Sequence, residues 1–482
     1  MQGSLKEKTL KGFIWNFSQK FLGQLFHFVV TVILARLLMP EDYGVVALVG
    51  MFNVLVGLFI NGSMDMALVQ KKDADELDYN TVFYSSLFMS FIIFGIVFFS
   101  APHFATLYHN DIIIPIMRVS ALTMPIGAFS MVQNATVARQ MEFRNFFYAT
   151  LSGHVLAAIV AIIMAYQDYG PWALVAQSII STTTNTIVLF QLNNWRPKWM
   201  FSWERFKGLF SYAWKRTAAG FMGTFCNQLK GYLIGYKYTA ADLAYFNRGE
   251  GLPEMLKNNI SGTIDTVLLP AFSKIQDDVD NVKRGVRRSI MTSTFLVCPI
   301  LLGLAATANK IVPILYSAKW MPAVPFMQVA CATLCVILIN NTNLQTLYAL
   351  GRTDIVLKQE FIKKPVMLVI LAITVPISPI SISIGIFFHH LHELFWTCHA
   401  NAKIIRYSLS EQISDVKPAF VISVLMAFIV YFIGKIDMNV YILLPIQIIV
   451  GAIIYLAISH LLRIESYVYV RKMLTERFLT RN

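Results

Sequence analysis

The strongest constraint on this chain is the spacing of its apolar residues. They come in runs of about twenty, the length needed to cross a hydrocarbon core as a helix, and short polar connections separate the runs. Segments of this kind lie at 12–35, 44–69, 81–99, 115–137, 146–167, 171–192, 209–235, 244–272, 288–307, 323–350, 363–380, 382–402, 418–434 and 440–462. In lipid, each backbone N–H and C=O has to be satisfied within its own segment, and for runs of this length only a helix does that. The sequence therefore predicts an all-α polytopic membrane protein with about fourteen transmembrane helices. Composition agrees: 56% of residues are apolar and 14% charged, against about 25% charged in soluble domains. The segment at 244–272 is the least apolar, because it contains Arg248, Glu250, Glu254 and Lys257. None of the connections is long enough for a sizeable extramembrane catalytic domain.

The net charge of +13 would fit a nucleic-acid partner only if the cations were clustered. They are scattered between apolar blocks, so no nucleic acid is expected. Residues Met1 to Lys11 are polar, and the first apolar run continues without a small-residue cleavage site, as in a retained helix rather than a signal peptide. Placing the N-terminus inside gathers most Lys and Arg on the cytoplasmic side. These include Lys6, Lys8, Lys11, the stretch Arg196 to Lys207, the run Lys283 to Arg288, and Arg471, Lys472 and Arg477. An even number of helices, with both termini cytoplasmic, follows. Cys226, Cys298, Cys331, Cys335 and Cys398 all fall within apolar segments and read as packing residues, with no disulfide or metal framework.

An internal repeat appears at an offset of 200 residues. Phe21-Leu22-Gly23 returns as Phe221-Met222-Gly223, Asp42 as Asp242, and Asn61-Gly62-Ser63-Met64-Asp65-Met66-Ala67-Leu68 as Ser261-Gly262-Thr263-Ile264-Asp265-Thr266-Val267-Leu268. One register holds across segments one and two against seven and eight. Six helices per repeat give both copies the same topology, related by an axis along the membrane normal. The expected organisation is an N-terminal six-helix lobe at 1–200, a C-terminal six-helix lobe at 201–410, and two extra helices with a basic cytoplasmic tail at 411–482.

Charged side chains inside spanning helices are costly, and normally face a bundle interior or a wet cavity. Here Lys20 lies in segment one, Lys215, Arg216 and Lys230 in segment seven, Arg248 and Lys257 in segment eight, and Arg118 near the start of segment four. A cavity lined by these cations suits an anionic cargo, since guanidinium and ammonium groups bind phosphate oxygens through charge-assisted hydrogen bonds. The alternative is that those near helix ends snorkel to the headgroups. Asp65 and Asp265 either bind a driving cation or lock their lobe through bonds to neighbouring helices. His389, His390, His392, Glu393 and His399 are the one cluster resembling a metal site, but they form no HExxH pattern. They read instead as polar residues on a bundle-facing helix, and no metal or other cofactor is expected. No phosphate-loop or nucleophile motif is present, so the chain is not expected to be an enzyme.

Three stretches carry a resemblance. They are Leu34-Ala35-Arg36-Leu37-Leu38-Met39-Pro40-Glu41-Asp42-Tyr43-Gly44; Tyr245-Phe246-Asn247-Arg248 with Leu268-Leu269-Pro270-Ala271-Phe272-Ser273-Lys274-Ile275-Gln276-Asp277-Asp278; and Lys319-Trp320-Met321-Pro322-Ala323-Val324-Pro325 with Ala349-Leu350-Gly351-Arg352-Thr353-Asp354. In order and over nearly the whole chain, they resemble the polysaccharide transporter family of the Wzx and WzxC type. That family sits in the superfamily with multidrug and toxin extrusion (MATE) proteins and lipid II flippases. The resemblance implies two MATE-like six-helix lobes around a central cavity, plus two extra helices. It implies a flippase of the bacterial inner membrane, acting by alternating access. Its cargo would be an undecaprenyl-diphosphate-linked oligosaccharide, moved from the cytoplasmic to the periplasmic leaflet. The expected partners are that lipid-linked glycan, membrane lipid and a polysaccharide polymerase, with the protein itself a monomer. The nearest alternative is a MATE-type cation-coupled drug extruder, against which the excess of intramembrane Lys and Arg counts.

Overall fold

The computed structural model of the protein describes residues 2–61, 64–274 and 278–479, and these are helical with no β-strand. In chain order the helices are α1 (Gln2–Leu37), α2 (Pro40–Asn61), α3 (Met64–Gln70), α4 (Glu76–Leu107), α5 (Ile113–Ser120), α6 (Thr123–Gln140), α7 (Phe143–Tyr166), α8 (Trp172–Leu192) and α9 (Trp203–Lys237). They continue as α10 (Ala240–Lys274), α11 (Val279–Tyr316), a 3-10 turn (Ala318–Ala323), α12 (Val324–Ala349), α13 (Thr353–Thr374), α14 (Pro379–Ile404), α15 (Leu409–Ile433), α16 (Val440–Leu461) and α17 (Glu465–Leu479).

Among the described residues, nine helical stretches are long and apolar enough to cross a membrane. They are α2, α4, α5 with α6, α7, α8, α11, the 3-10 turn with α12, α15 and α16. The other five expected segments also form helices, α1, α9, α10, α13 and α14; in α1 the described apolar stretch is the shorter Phe21–Leu37. Several helices outrun their apolar runs. α4 begins before the expected 81, because the Asp75 side chain accepts from the Asp78 amide in a capping box. α11 likewise begins before 288, on the Asp278 carboxylate, which accepts from the amides of Asp280 and Asn281. The expected span 115–137 divides into α5 and α6, since Pro125 has no N–H to continue the ladder.

The chain forms two compact units, Met1–Ala244 and Tyr245–Asn482. In the first, α7 presents Ala149, Gly153, Ala157, Ala161 and Ala165 as a buried small-residue stripe. A Cβ at Gly153 would lie 2.9 Å from the Ser181 carbonyl oxygen of α8, so glycine is what lets the two backbones approach. Val30 and Leu34 of α1, with Leu38 just past its end, pack on the same helix. In the second unit, an amide knot ties α12 to α14 and α15. Asn343 Nδ2 donates to Gln412 Oε1 at 2.8 Å, Asn401 Nδ2 to Asn343 Oδ1 at 2.7 Å, and Gln412 Nε2 to Asn343 Oδ1 at 3.1 Å. All three residues are buried, so the bonds replace those that water would otherwise supply.

The 200-residue register survives in the backbone. α1 ends at Leu37 and α9 at Lys237; α2 begins at Pro40 and α10 at Ala240. The turns also match: Met39 N donates to Asp42 Oδ2 at 3.0 Å, and Thr239 N to Asp242 Oδ2 at 3.1 Å.

An ionic clamp closes one end of each unit. In the first, Asp78 is fully buried and accepts from Lys71 Nζ at 2.6 Å and from Arg205 Nη1 at 3.2 Å. The second arm of Arg205 reaches Asp75 at 3.3 Å. The Asp78 amide, with Arg205 and Lys71 close by, holds the Asp75 carboxyl below its ordinary range. Lys198 pairs with Glu76 at 2.7 Å between exposed side chains. The acidic start of α4 is thus fastened to the basic start of α9. In the second unit the signs are reversed: Lys283 of α11 pairs with Glu411 of α15 at 2.9 Å, and Arg287 takes Asp415 in a two-armed pair at 2.9 Å.

Burial separates these pairs energetically. Asp78→Ala leaves two cations without their carboxylate, and is expected to destabilise the protein by about 3–5 kcal/mol. Glu76→Ala breaks a solvated pair and is expected to cost less than about 1 kcal/mol. Equilibrium unfolding in micelles should rank them in this order; equal effects would mean that the Asp78 pairs are no stronger than a surface contact.

Candidate functional site

Two motif stretches that lie far apart in sequence meet in the second unit. Gly249 allows it: a Cβ there would fall 2.6 Å from Cβ of Phe326 and 2.9 Å from the Ala323 carbonyl oxygen. α10 therefore lies flush on the 3-10 turn and the start of α12. Around this contact Tyr245 meets Trp320 edge-to-face at 6.0 Å, and Phe246 meets Phe326 in the same way at 5.9 Å. The guanidinium of Arg248 lies 5.2 Å from the ring centres of both Tyr316 and Trp320, two rings that are almost completely buried. A cation beside two rings gains from the quadrupole of each, and the flat guanidinium suits such contacts better than an ammonium.

The other expected site residues distribute as follows. Lys230 of α9 and Lys257 of α10 are half-buried. Asp65 begins the short helix α3, and its carboxylate accepts from the Met66 amide at 2.7 Å. Arg118 of α5 donates to the Phe98 carbonyl at 3.2 Å and stands 4.4 Å above the Phe98 ring, which ties α5 to α4. The side chains of Lys20, Lys215, Arg216 and Asp265 lie outside the described residues. All five cysteines are free thiols.

A further polar site went unmarked in the sequence reading. Lys363 sits at the midpoint of α13, only 2% exposed, and its Nζ donates to Thr397 Oγ1 of α14 at 3.2 Å. Thr397 Oγ1 in turn donates to the Glu393 carbonyl at 2.8 Å. The Glu393 carboxylate lies within electrostatic reach of Lys363. It is flanked by His390 Nδ1 at 2.8 Å and His389 Nε2 at 3.4 Å. Gln359, one turn before Lys363, donates to the Trp396 carbonyl at 2.9 Å, and Trp396 Nε1 donates to His392 Nε2 at 2.9 Å. His399 stacks on Phe395 at 6.3 Å. The histidines thus serve a carboxylate and ring contacts, and no group of three or more His, Cys, Asp or Glu among the described residues is arranged to hold a metal. The available signal for Lys363 was Lys363-Lys364-Pro365. It read as the edge of a span because the apolar run starts there, whereas the helix starts at Thr353.

Seventeen α-helices among the described residues, nine apolar stretches fit to cross a bilayer, and polar side chains sequestered between helices define a multi-pass membrane protein. A family model described as "Polysaccharide biosynthesis protein" matches residues 33–325. The chain belongs to that family. It is 23% identical over 301 residues to the succinoglycan biosynthesis transport protein ExoT of Rhizobium meliloti, an alignment that spans 62% of this chain and 61% of ExoT. It is 21% identical over 361 residues to the lipopolysaccharide biosynthesis protein WzxC of Escherichia coli K12, spanning 74% and 73%. The match thus takes in about three-fifths of ExoT and about three-quarters of WzxC. Among solved structures, the lipid II flippase MurJ in an inward closed conformation superposes with a TM-score of 0.74 at 15% identity, over 96% of this chain and 100% of that one. The fold is the one seen in MurJ; by their names ExoT is a transport protein and MurJ a flippase.

The Lys363 site generates a prediction. Glu393→Ala removes the carboxylate that answers a buried ammonium and two imidazoles, with an expected loss of about 3–5 kcal/mol. Adding Lys363→Met, which removes the unanswered charge at similar volume, is expected to recover much of that loss. The coupling energy from a double-mutant cycle of unfolding in micelles is the readout; purely additive effects would show that the two groups do not interact.

Proposed function

We propose that the protein is a flippase for undecaprenyl-diphosphate-linked oligosaccharide, carrying it by alternating access from the cytoplasmic to the periplasmic leaflet of a bacterial inner membrane, with both termini cytoplasmic. The observation that carries this reading is the segregation of charge. The apolar spans keep their interiors nearly free of ionisable groups, while α1, α9 and α10 bear Lys20, Lys215, Arg216, Lys230, Arg248 and Lys257. Moving a diphosphate and a run of sugar hydroxyls through hydrocarbon requires fixed positive charge to replace the water they leave. These six cations are the proposed contacts for the diphosphate. The same excess argues against a cationic drug as cargo. The names of ExoT and WzxC, and the fold shared with a lipid II flippase, support the lipid-linked class of substrate.

Arg248 has a double assignment in this scheme. Its guanidinium is held 5.2 Å from the ring centres of Tyr316 and Trp320, and is proposed to meet a phosphate oxygen of the cargo from that position. Asp65 and Asp265 hold equivalent places in the repeat, and are proposed either to take up a coupling cation or to secure their helices. The protein is proposed to work as a monomer that hands its product to a polysaccharide polymerase, whose consumption of the glycan would draw the cargo outward.

The test is to neutralise Lys20 and Lys230 together, as Lys20→Gln with Lys230→Gln, and to measure surface polysaccharide alongside membrane levels of the protein. Surface polysaccharide is expected to disappear while the protein stays in the membrane. Normal polysaccharide in the double variant would remove both residues from the cargo path.

A further inference from the structure

Two opposite charges share a layer of α13 and α14 without touching. A buried ammonium and carboxylate do best when they meet directly and fill each other's hydrogen-bonding positions, yet among the described residues no ion pair joins Lys363 to Glu393. Lys363 Nζ is bonded to Thr397 Oγ1 instead, and both carboxylate oxygens face imidazoles, Oε2 meeting His390 Nδ1 at 2.8 Å and Oε1 meeting His389 Nε2 at 3.4 Å. Groups that titrate near neutral pH thus stand where a permanent cation would make the tighter lock.

The contacts assign the ring protons. A carboxylate only accepts, so each neutral ring turns an N–H toward it and keeps a lone pair on the other nitrogen, Nε2 of His390 and Nδ1 of His389. A third ring, His392, accepts from Trp396 at Nε2 and therefore carries its proton on Nδ1. His389 Nδ1 and His392 Nδ1 are buried with no hydrogen-bond partner among the described residues. An unfilled acceptor and an unfilled donor, one turn apart on the same face of α14, are costly to keep in a bundle, and apolar side chains would pack there without that cost.

Other charge near this layer is sparse. α12, α13 and α15 pack against α14. α13 brings Lys363, together with Glu360 and Lys364, which pair with each other at 3.4 Å. The titratable groups of α12 are Cys331, Cys335 and Tyr348, with no charged residue between Val324 and Ala349. α15 brings Lys417, which lines a small hollow with Leu394 and Cys398, while its Glu411 and Asp415 are held by Lys283 and Arg287. With its imidazoles neutral the layer balances Lys363 against Glu393, and one added proton breaks that balance.

We propose that this layer is a proton-binding site whose acceptor is His390. A proton from hydronium adds to the lone pair of Nε2, on a side chain 23% exposed, leaving water and breaking no other bond. The imidazolium is then answered by Glu393 through Nδ1, and Lys363 loses the counter-charge that its burial depends on. α13 stays fastened to α14 at this level through Thr397 and Gln359. Carboxylates and histidines are the groups from which intramembrane proton sites are built. What the proton drives rests on the flippase reading above, in which a proton gradient acts here; the uptake itself requires only that α13 and α14 lie within a membrane.

Nitrogen-15 magic-angle-spinning spectra of the full-length, histidine-labelled protein in lipid vesicles test this, because they separate imidazole from imidazolium as the sample is taken from about pH 8 to about pH 5. Among the nine histidines, the signal that His390→Gln removes identifies the ring, and it is expected to convert across this range. Its proton affinity is expected to fall about tenfold in Glu393→Gln, which loses the attracting carboxylate, and to rise about tenfold in Lys363→Met, which loses the repelling ammonium. A histidine facing water alone would respond to neither change. Absence of conversion at His390, or a conversion that both variants leave in place, overturns the site. If Glu393→Gln does not fold, Lys363→Met decides by itself, since it removes a buried charge instead of stranding one. Loss of the proton site while Lys20 and Lys230 are still needed for surface polysaccharide strikes this inference and spares the flippase reading; the converse result strikes only that reading.

Discussion

A charge withdrawn from water into a helical bundle has to be answered by another group of the protein, because hydrocarbon offers none. Lys363 makes the point: at mid-helix and 2% exposed, it donates to Thr397 of α14 with the Glu393 carboxylate within electrostatic reach, and Glu393 has His389 and His390 beside its oxygens. The amides of Asn343, Asn401 and Gln412 follow the same rule without charge. Dispersion between leucines allows helices to slide; these polar contacts do not, since a shift of one residue would leave a donor stranded. The alignment of α12, α13, α14 and α15 is therefore set by a handful of side chains rather than by the apolar surfaces that make up most of the contact.

The bundle divides its labour accordingly. The nine apolar stretches supply the surfaces fit to face lipid, while α1, α9, α10, α13 and α14 carry further groups that lipid would reject. The small-residue stripe of α7 and the flush contact at Gly249 bring backbones close, where side chains of any size would hold them apart. Close packing of this kind keeps Arg248 beside the rings of Tyr316 and Trp320.

Much of this was legible in the sequence, and what was not shares one cause. Twenty-residue apolar runs are local, so all fourteen expected segments are found as helices; the 200-residue register is a comparison of letters, and the turns at Asp42 and Asp242 repeat it in their hydrogen bonds. The motifs around Arg248 and Trp320 were each recognisable, yet nothing in either indicates that one stacks on the other, because that contact spans a whole helix and its turns. Lys363 was passed over for the same reason: its partner lies in the next helix, and the apolar run conceals the polar turns with which α13 begins. The Asp75 and Asp278 caps lengthen α4 and α11 beyond any apolar signal, since a helix end in water needs capping more than hydrophobicity.

The opposed signs of the two clamps have an outcome for how such a duplicated chain sorts itself during insertion. α4 and α11 are the third expected spans of the two lobes, and α9 and α15 are the spans that follow each lobe's sixth, so either third helix has a wrong follower within reach of its shape. The acidic start of α4 would confront Glu411 and Asp415 if it settled on α15, and the Lys283 and Arg287 of α11 would confront Arg205 on α9. Each mistaken union sets like against like, so repulsion rejects the pairings that near-identical architecture would otherwise tolerate. At these two places the sign of the charge distinguishes one pairing from the other.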